Sequence, residues 1–143
     1  MTAAEQTNHA EMLAVLARCD AERLKAFADP LVAQLGEIDV IENRTGLVML
    51  PMRDTAQGTH FHLGEVLMSE ARIAADGVEA FGMRRGRDLE AAMAMAVVDA
   101  CVALGVETAR CRDFVAEEAH ALDAQDRETL CRVEATRVDM ETF

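Results

Sequence analysis

The stretch of sequence that decides the fold covers residues 73–88 and reads IAADGVEAFGMRRGRD. At its centre, Asp76-Gly77 lies between apolar residues and predicts a two-residue hairpin turn with positive φ angles. An extended segment from His60 to Arg72 precedes this turn, and a return strand from Val78 to Met83 follows it. The middle of the chain is therefore predicted to form an antiparallel meander.

A further strand is predicted upstream of this hairpin. Ile38 and Val40 alternate with polar residues, and the segment Asn43–Gly46 is typical of a turn. The next segment, Leu47–Leu50, is apolar on both faces, which favours a central strand that is covered on both sides. Residues 53–58 are expected to form a polar loop.

The first 35 residues are predicted to be helical. Asp20 is a suitable N-cap for a short second helix that continues through Phe27. Asp29-Pro30 then predicts a new helix start, because an acidic cap precedes a proline at the first helical position. Gly36 predicts the end of that third short segment.

A long apolar helix is predicted between Asp88, as its N-cap, and Gly105, as its end. Its apolar residues occupy every side, since only Glu90 and Asp99 carry charge. Such a helix must be enclosed on all sides, and a chain of 143 residues offers little material for this. The sequence therefore predicts that a partner chain or a homo-oligomer covers its outer face, residues 91–103.

The C-terminal third gives weaker signals. Residues 107–120 do not distinguish a helix from a loop, whereas Asp123 predicts a cap for a helix over Ala124–Glu134. Leu130 and Val133 are expected to face inward from that helix. The alternating tail, residues 136–143, predicts a terminal strand.

Together these elements predict an α+β fold in a single domain, residues 1–143. The expected order is N-terminal helices, a central antiparallel meander sheet, a long apolar helix packed on the sheet, and a C-terminal helix with a terminal strand. The chain is long enough to bury a hydrophobic core without disulfides or metals.

Composition disfavours several functional classes. Asp and Glu number 26 against 14 Lys and Arg, and the formal charge of −12 argues against binding to nucleic acid. No run of about 20 apolar residues and no secretory signal pattern is visible, so a cytoplasmic location without membrane contact is expected. The four cysteines lack CxxC spacing and are expected to be reduced thiols on apolar faces. They are Cys19, Cys101, Cys111 and Cys131.

Three arginines, Arg84, Arg85 and Arg87, directly precede the helix that Asp88 caps. Cations near a helix N-terminus suit an anion such as a phosphate or a phosphonate. The same arginines would equally serve structural ion pairs with the many carboxylates of the chain, or contacts with an acidic partner surface. The sequence leaves these three interpretations open.

Two further groups of residues suggest chemistry only weakly. His60 and His62 would lie on one face of a strand, as metal ligands need, but no third ligand occurs at a suggestive spacing. Cys101 and Cys111 are candidate nucleophiles without a recognisable local signature. No self-contained active site is visible, and the catalytic residues stay unknown.

Short motifs follow one another in a fixed order along nearly the whole chain. They are GLVM from Gly46, GEV from Gly64, ARI from Ala71 with Asp76-Gly77, GRD from Gly86, and ATRVD from Ala135. Their order and spacing resemble the PhnG family, the G subunit of the bacterial carbon–phosphorus lyase system. The motif positions Glu65, Arg87, Asp88, Arg137 and Asp139 carry no catalytic role that the motif itself establishes.

The resemblance implies a subunit and not a complete enzyme. Members of this family act in phosphonate catabolism with the H, I and J subunits and the nucleotide-binding L protein. The G, H, I and L proteins together support a transferase step in which an alkylphosphonate displaces adenine from ATP. The product is ribose 1-methylphosphonate 5-triphosphate. The resemblance implies no cofactor in this chain, with ATP and the phosphonate as substrates of the assembled complex. Self-association of the chain is also expected.

Two other hypotheses follow from the residues alone. One is a stand-alone homodimeric module that binds a small anion through the arginines before Asp88. The other is a metal-dependent hydrolase at His60 and His62.

Overall fold

The computed structural model describes residues 3–138, with side chains from residue 8 onward. Within these residues, four helices and a three-stranded antiparallel sheet form an α+β arrangement, which confirms the predicted fold class. The elements are α1 (Ala3–Arg18), α2 (Ala21–Leu35), β1 (Ile38–Arg53), β2 (His60–Ala75), β3 (Val78–Arg85), α3 (Leu89–Leu104) and α4 (Thr108–Ala135).

The sheet has the strand order β1-β2-β3, and two hairpins connect its strands. The predicted turn at Asp76-Gly77 is confirmed, with φ angles of 46° and 78°. The predicted turn at Asn43–Gly46 is wrong, because β1 continues through it in register with β2, from Asn43 opposite Ala71 to Gly46 opposite Met68. Ile41 forms a bulge in β1 instead, so the strand bends there without ending.

The two edges of the sheet differ. At the β3 edge, the Asp99 carboxylate accepts the Phe81 N–H at 3.0 Å, and the Met95 sulfur accepts the Met83 N–H at 3.4 Å. Helix α3 therefore closes that edge. Strand β1 forms the other edge and contains no buried residue. The expectation that Leu47–Leu50 belongs to a covered central strand is wrong.

Helix α2 is continuous and includes Pro30, so the predicted break at Asp29-Pro30 is wrong. Leu24 and Ala28 before the proline and Leu31 after it are buried on the same side of the helix. Packing of this stripe against the core holds the helix together across the position where a hydrogen bond is lost. The predicted caps are confirmed: the Asp20 side chain accepts the Arg23 N–H, and Gly36 ends the helix at a φ of 73°.

Helix α3 lies at the centre of the molecule. Its predicted caps, Asp88 and Gly105, are both confirmed. The chain encloses this helix by itself, so the prediction that residues 91–103 need a partner to cover them is wrong. Residues of α1, α2, the sheet and the first half of α4 share one buried cluster with it. They include Met12, Leu16, Leu24, Ala28, Leu31, Leu35, Ala71, Ile73, Ala80, Cys111 and Phe114.

Helix α4 is continuous over 28 residues. It begins at Thr108, so nearly all of the ambiguous stretch 107–120 is helical. The predicted cap Asp123 lies inside this helix. No glycine or proline occurs in it, so nothing in the sequence breaks the backbone hydrogen bonds. Its first half is anchored to the body. Phe114 stacks on Phe27 at 4.2 Å between ring centroids, and the buried Glu118 accepts a hydrogen bond from Arg23.

The second half of α4 projects from the body. After the bidentate pair of Arg18 with Asp126, every residue to the end of the helix is exposed. The prediction that Leu130 and Val133 face inward is wrong, since their exposed fractions are 66% and 61%. Residues 136–138 contain no strand, and the remainder of the predicted terminal strand lies outside the described residues.

Candidate functional site

The arginines before α3 do not form one cluster. Arg84 and Arg85 are adjacent on β3, so their side chains point to opposite faces of the sheet. The Arg84 guanidinium is buried and donates hydrogen bonds to the backbone carbonyls of Leu16 and Cys19 at the end of α1. Arg84 therefore joins α1 to the sheet and is not available to an external anion.

The N-terminus of α3 is already occupied by a carboxylate. Asp88 accepts the Ala91 N–H at 3.0 Å and lies 2.9 Å from the Lys25 ammonium, which also contacts Glu22 at 3.0 Å. The hydrogen bond from Lys25, and then the one from Ala91, lower the pKa of Asp88. A phosphate or phosphonate at this position would have to displace Asp88. Of the predicted anion candidates, only Arg85 and Arg87 remain exposed.

The predicted histidine pair lies on β2, where His60 is opposite Arg53 and His62 is opposite Pro51. Both side chains are exposed. Among the described residues, no group of three or more His, Cys, Asp or Glu side chains is placed to hold a metal ion. The pair therefore gains no third ligand from the part of the fold that the structure describes.

The candidate nucleophiles Cys101 and Cys111 are buried, as is Cys19. Burial raises the pKa of all three thiols, that of Cys101 to about 11, so they are protonated at neutral pH and shielded from substrates. The expectation of free thiols on apolar faces is confirmed for these three residues. Cys131 differs, because it is exposed on the projecting half of α4.

Two open grooves in the body also suit an anionic substrate poorly. One, of about 520 Å³, is lined by Glu37, Asp39 and Asp76 together with apolar and uncharged residues. The other, of about 590 Å³, contains Arg18 and Arg23, but acidic side chains already pair with both. Neither groove offers an unpaired cation to a phosphonate or to the triphosphate of ATP.

The most distinctive surface of the molecule is the far end of the β1–β2 hairpin. Ser69 and Arg84, which lie opposite each other on β2 and β3, form the last buried residue pair of the sheet. Residues 47–67 extend beyond this pair, and we call them the hairpin arm. Each of its strands continues for about seven residues, or roughly 23 Å. No residue of the arm is buried.

The arm carries a dense set of exposed apolar side chains. Seven of them have exposed fractions between 40% and 62%: Leu47, Val48, Met49, Leu50, Met52, Phe61 and Leu63. Together they leave on the order of 700 Å² open over the two faces of the arm, whereas soluble monomers ordinarily expose a few hundred Å² as one patch. Sequence reasoning recognised the apolar run at Leu47–Leu50 but interpreted it as core.

A family model for the phosphonate metabolism protein PhnG matches residues 7–143. The chain belongs to the PhnG family. The match covers nearly the whole chain and confirms the resemblance drawn from the motifs, so this PhnG-family chain has a role in phosphonate metabolism. A comparison with curated proteins gave no match. Within residues 3–138, no helix has both the length and the apolar character needed to cross a membrane.

The family-motif positions that are described belong to three different parts of this PhnG-family chain: the arm, the N-terminal end of α3 and the residues that follow α4. Glu65 is exposed on the arm opposite Met49, and Asp88 caps α3. Arg137 follows the end of α4, where it contacts Glu134 at 3.2 Å. Asp139 lies outside the described residues. No shared catalytic centre is evident among the four that are described, and the arm, which sequence reasoning missed, carries the densest set of exposed apolar side chains.

Proposed function

We propose that this chain is an accessory, structural subunit of the carbon–phosphorus lyase core complex. In this proposal it acts with the H, I and L proteins in the displacement of adenine from ATP by an alkylphosphonate. With methylphosphonate as the substrate, a phosphonate oxygen forms a bond to C1 of the ribose, the glycosidic bond breaks with release of adenine, and ribose 1-methylphosphonate 5-triphosphate results. The J subunit acts later, on the carbon–phosphorus bond.

The single observation that carries this proposal is the open apolar surface of the hairpin arm. Seven large apolar side chains of the arm are in contact with water. A partner that covers them gains about 25 cal/mol of free energy for each Å² of apolar surface removed from water. A subunit whose arm is covered in an assembly avoids this contact with water.

Several polar residues that could take part in catalysis or ligand binding already form contacts within the fold, which also supports a structural role. Arg84 holds the end of α1, Asp88 caps α3, and the buried thiols are protonated. Of the candidate anion-binding residues, Arg84 and Asp88 are thus already used within the fold, and only Arg85 and Arg87 remain exposed. The chemistry of the transferase step falls to other subunits in this proposal.

The test is reconstitution with the H and I subunits from the same genome. The three chains are co-expressed, separated by size exclusion, and assayed with the L protein, ATP and methylphosphonate for release of adenine. We expect this chain to co-elute with its partners and adenine release to fall at least tenfold when it is omitted. Separate elution, with adenine release unchanged by the omission, would contradict the proposal.

A further inference from the structure

The two faces of the hairpin arm have different compositions. Buried residues of β2, such as Ala71 and Ile73, mark the inner face, toward the helices, and alternate residues mark the outer face. Opposed residues of an antiparallel pair share a face. Leu63 forms a bulge in β2, since Leu50 is opposite Gly64 and Pro51 is opposite His62, so the alternation along β2 shifts by one residue toward the tip. The outer face of the arm then contains three rows without any charge: Val48 with Val66, Leu50 with Gly64, and Met52 with Phe61.

The inner face of the arm changes character along its length. Its rows nearest the body pair Leu47 with Leu67 and Met49 with Glu65. The rows nearer the tip pair Pro51 with His62 and Arg53 with His60. The base of the arm is therefore apolar on both faces except for Glu65, whereas the tip is apolar only on the outer face and polar on the inner one.

A partner that covers this arm has to contact both of its faces. A second copy that paired with the free edge of β1 would lengthen the sheet and leave both faces open to water. A second copy packed face to face, as in a β-sandwich, would cover one face and leave the other exposed. Neither of these symmetric contacts covers Leu47 and Met49 together with Val48 and Leu50.

Charge also disfavours a second copy as the occupant. The arm holds one arginine and two acidic residues, so nearly all of the formal charge of −12 lies on the remainder of the chain. Two copies joined through their arms would bring two strongly acidic bodies toward each other, and at low ionic strength, where the Debye length is comparable to the roughly 23 Å arm, their repulsion would weaken the contact. A partner without a comparable excess of acidic residues avoids this cost.

The area of the arm is sufficient for a specific contact. Its open apolar surface of on the order of 700 Å² is close to the roughly 800 Å² per partner that a stable interface buries. Polar atoms of the two strands and the tip add to that area when both faces are enclosed. An interface of this size and composition resembles the apolar centre of a permanent complex.

We propose that the hairpin arm inserts into an apolar cleft of a different subunit, which encloses both faces of the arm near Leu47–Leu50 and contacts polar groups at its tip. This inference rests on the proposed function, because it assigns to one surface the assembly that the function requires. It excludes a second copy of the chain as the occupant.

The test uses one substitution on each face of the arm and a matched control. Leu50→Asp alters the outer face, Met49→Asp alters the inner face, and Val32→Asp makes the same kind of change at an exposed position of α2. Each full-length variant is co-expressed with the H and I subunits, and its co-elution is quantified against wild type. Circular dichroism of each purified variant shows whether the body stays folded.

We expect both arm variants to fold and to co-elute at least tenfold less than wild type, whereas Val32→Asp co-elutes normally. Wild-type co-elution by folded arm variants would overturn this inference and leave the proposed function standing. If only one of the two arm substitutions reduces co-elution, the partner contacts only one face of the arm, which would contradict insertion into a cleft. Failure of wild type to co-elute would remove the proposed function itself.

Sedimentation velocity of the lone wild-type chain tests whether a second copy of the chain binds the arm. We expect a monomer, because the arm binds a different subunit and not a second copy of the chain. A dimer of the lone chain that Leu50→Asp dissociates would identify a second copy as the occupant and would overturn the proposal.

Discussion

Gly82 is the residue at which β3 and α3 approach most closely. A Cβ atom at this position would lie 1.9 Å from the Ala92 carbonyl oxygen and 2.9 Å from the Ala96 nitrogen, both backbone atoms that have no rotamer to change. We therefore expect Gly82→Ala to lower the free energy of unfolding by about 3 kcal/mol, the upper part of the range for overpacked cores. Urea denaturation followed by circular dichroism measures this change.

The matched control is Gly46→Ala, since Gly46 is also in a strand but has no atom within 4 Å of a built Cβ. We expect that substitution to change stability by less than about 0.5 kcal/mol, as at other open surface positions. Equal effects of the two substitutions would contradict the close packing of α3 on β3.

Arg84 contributes to stability and not to ligand binding in our interpretation. Replacing it with Met leaves the carbonyls of Leu16 and Cys19 without their charged donor, and we expect a loss of about 2 kcal/mol. Arg85→Met is the matched control, because its side chain is exposed on the other face. If thermal or urea denaturation shows equal stability for the two variants, Arg84 does not hold α1 to the sheet.

The four thiols are expected to differ in reactivity. Because Cys19, Cys101 and Cys111 are buried and burial raises the pKa of each, a thiol reagent such as DTNB at pH 8 should label only Cys131 in the folded protein. All four should react in denaturant. Rapid labelling of two or more thiols before unfolding would show that the body opens more readily than its packing indicates.

At the scale of elements, the sequence predicted those features that local chemistry determines. Asp20 and Asp88 as N-caps, Gly36 and Gly105 as helix ends, and the turn at Asp76-Gly77 all lie where they were expected. A side-chain oxygen near free N–H groups, or a backbone that needs positive φ, is visible within a few residues. These signals do not depend on what the segment packs against.

The errors occurred where tertiary contacts outweigh the local signal. Pro30 is compatible with a continuous α2 because the buried stripe on both sides of it holds the helix in place. Asp123 is a good cap but also a tolerable helix residue, and α4 continues through it. An apolar segment such as Leu47–Leu50 shows that a surface needs cover, but not whether this chain or another chain provides it.

The hairpin arm should be dispensable for folding. Replacing residues 49–65 with Asn-Gly joins Val48 to Val66, which already face each other, through a favourable two-residue turn. Because no residue of the removed segment is buried, we expect the free energy of unfolding to change by less than about 1 kcal/mol. Denaturant titration of the shortened chain tests this, and failure to fold would mean that the arm belongs to the core.

At the scale of the whole molecule, the chain combines a self-sufficient body with an incomplete surface. The body encloses α3 and closes the β3 edge, which the sequence could not predict because neither contact is local. The arm and the projecting half of α4 extend from this body with apolar groups in water. Of the candidate site, the sequence predicted that a partner covers the outer face of α3, whereas the structure encloses α3 and leaves the apolar surface of the arm open.

The most direct test of the central claim is hydrogen–deuterium exchange on the lone chain and on the chain assembled with the H and I subunits. A two-stranded ribbon without cover opens readily, so residues 47–53 and 60–67 should exchange quickly in the lone chain. Our account predicts that both segments become strongly protected on assembly, while α3 is protected in both states. Rapid exchange of the arm in the assembled complex, with new protection confined to other surfaces, would contradict it.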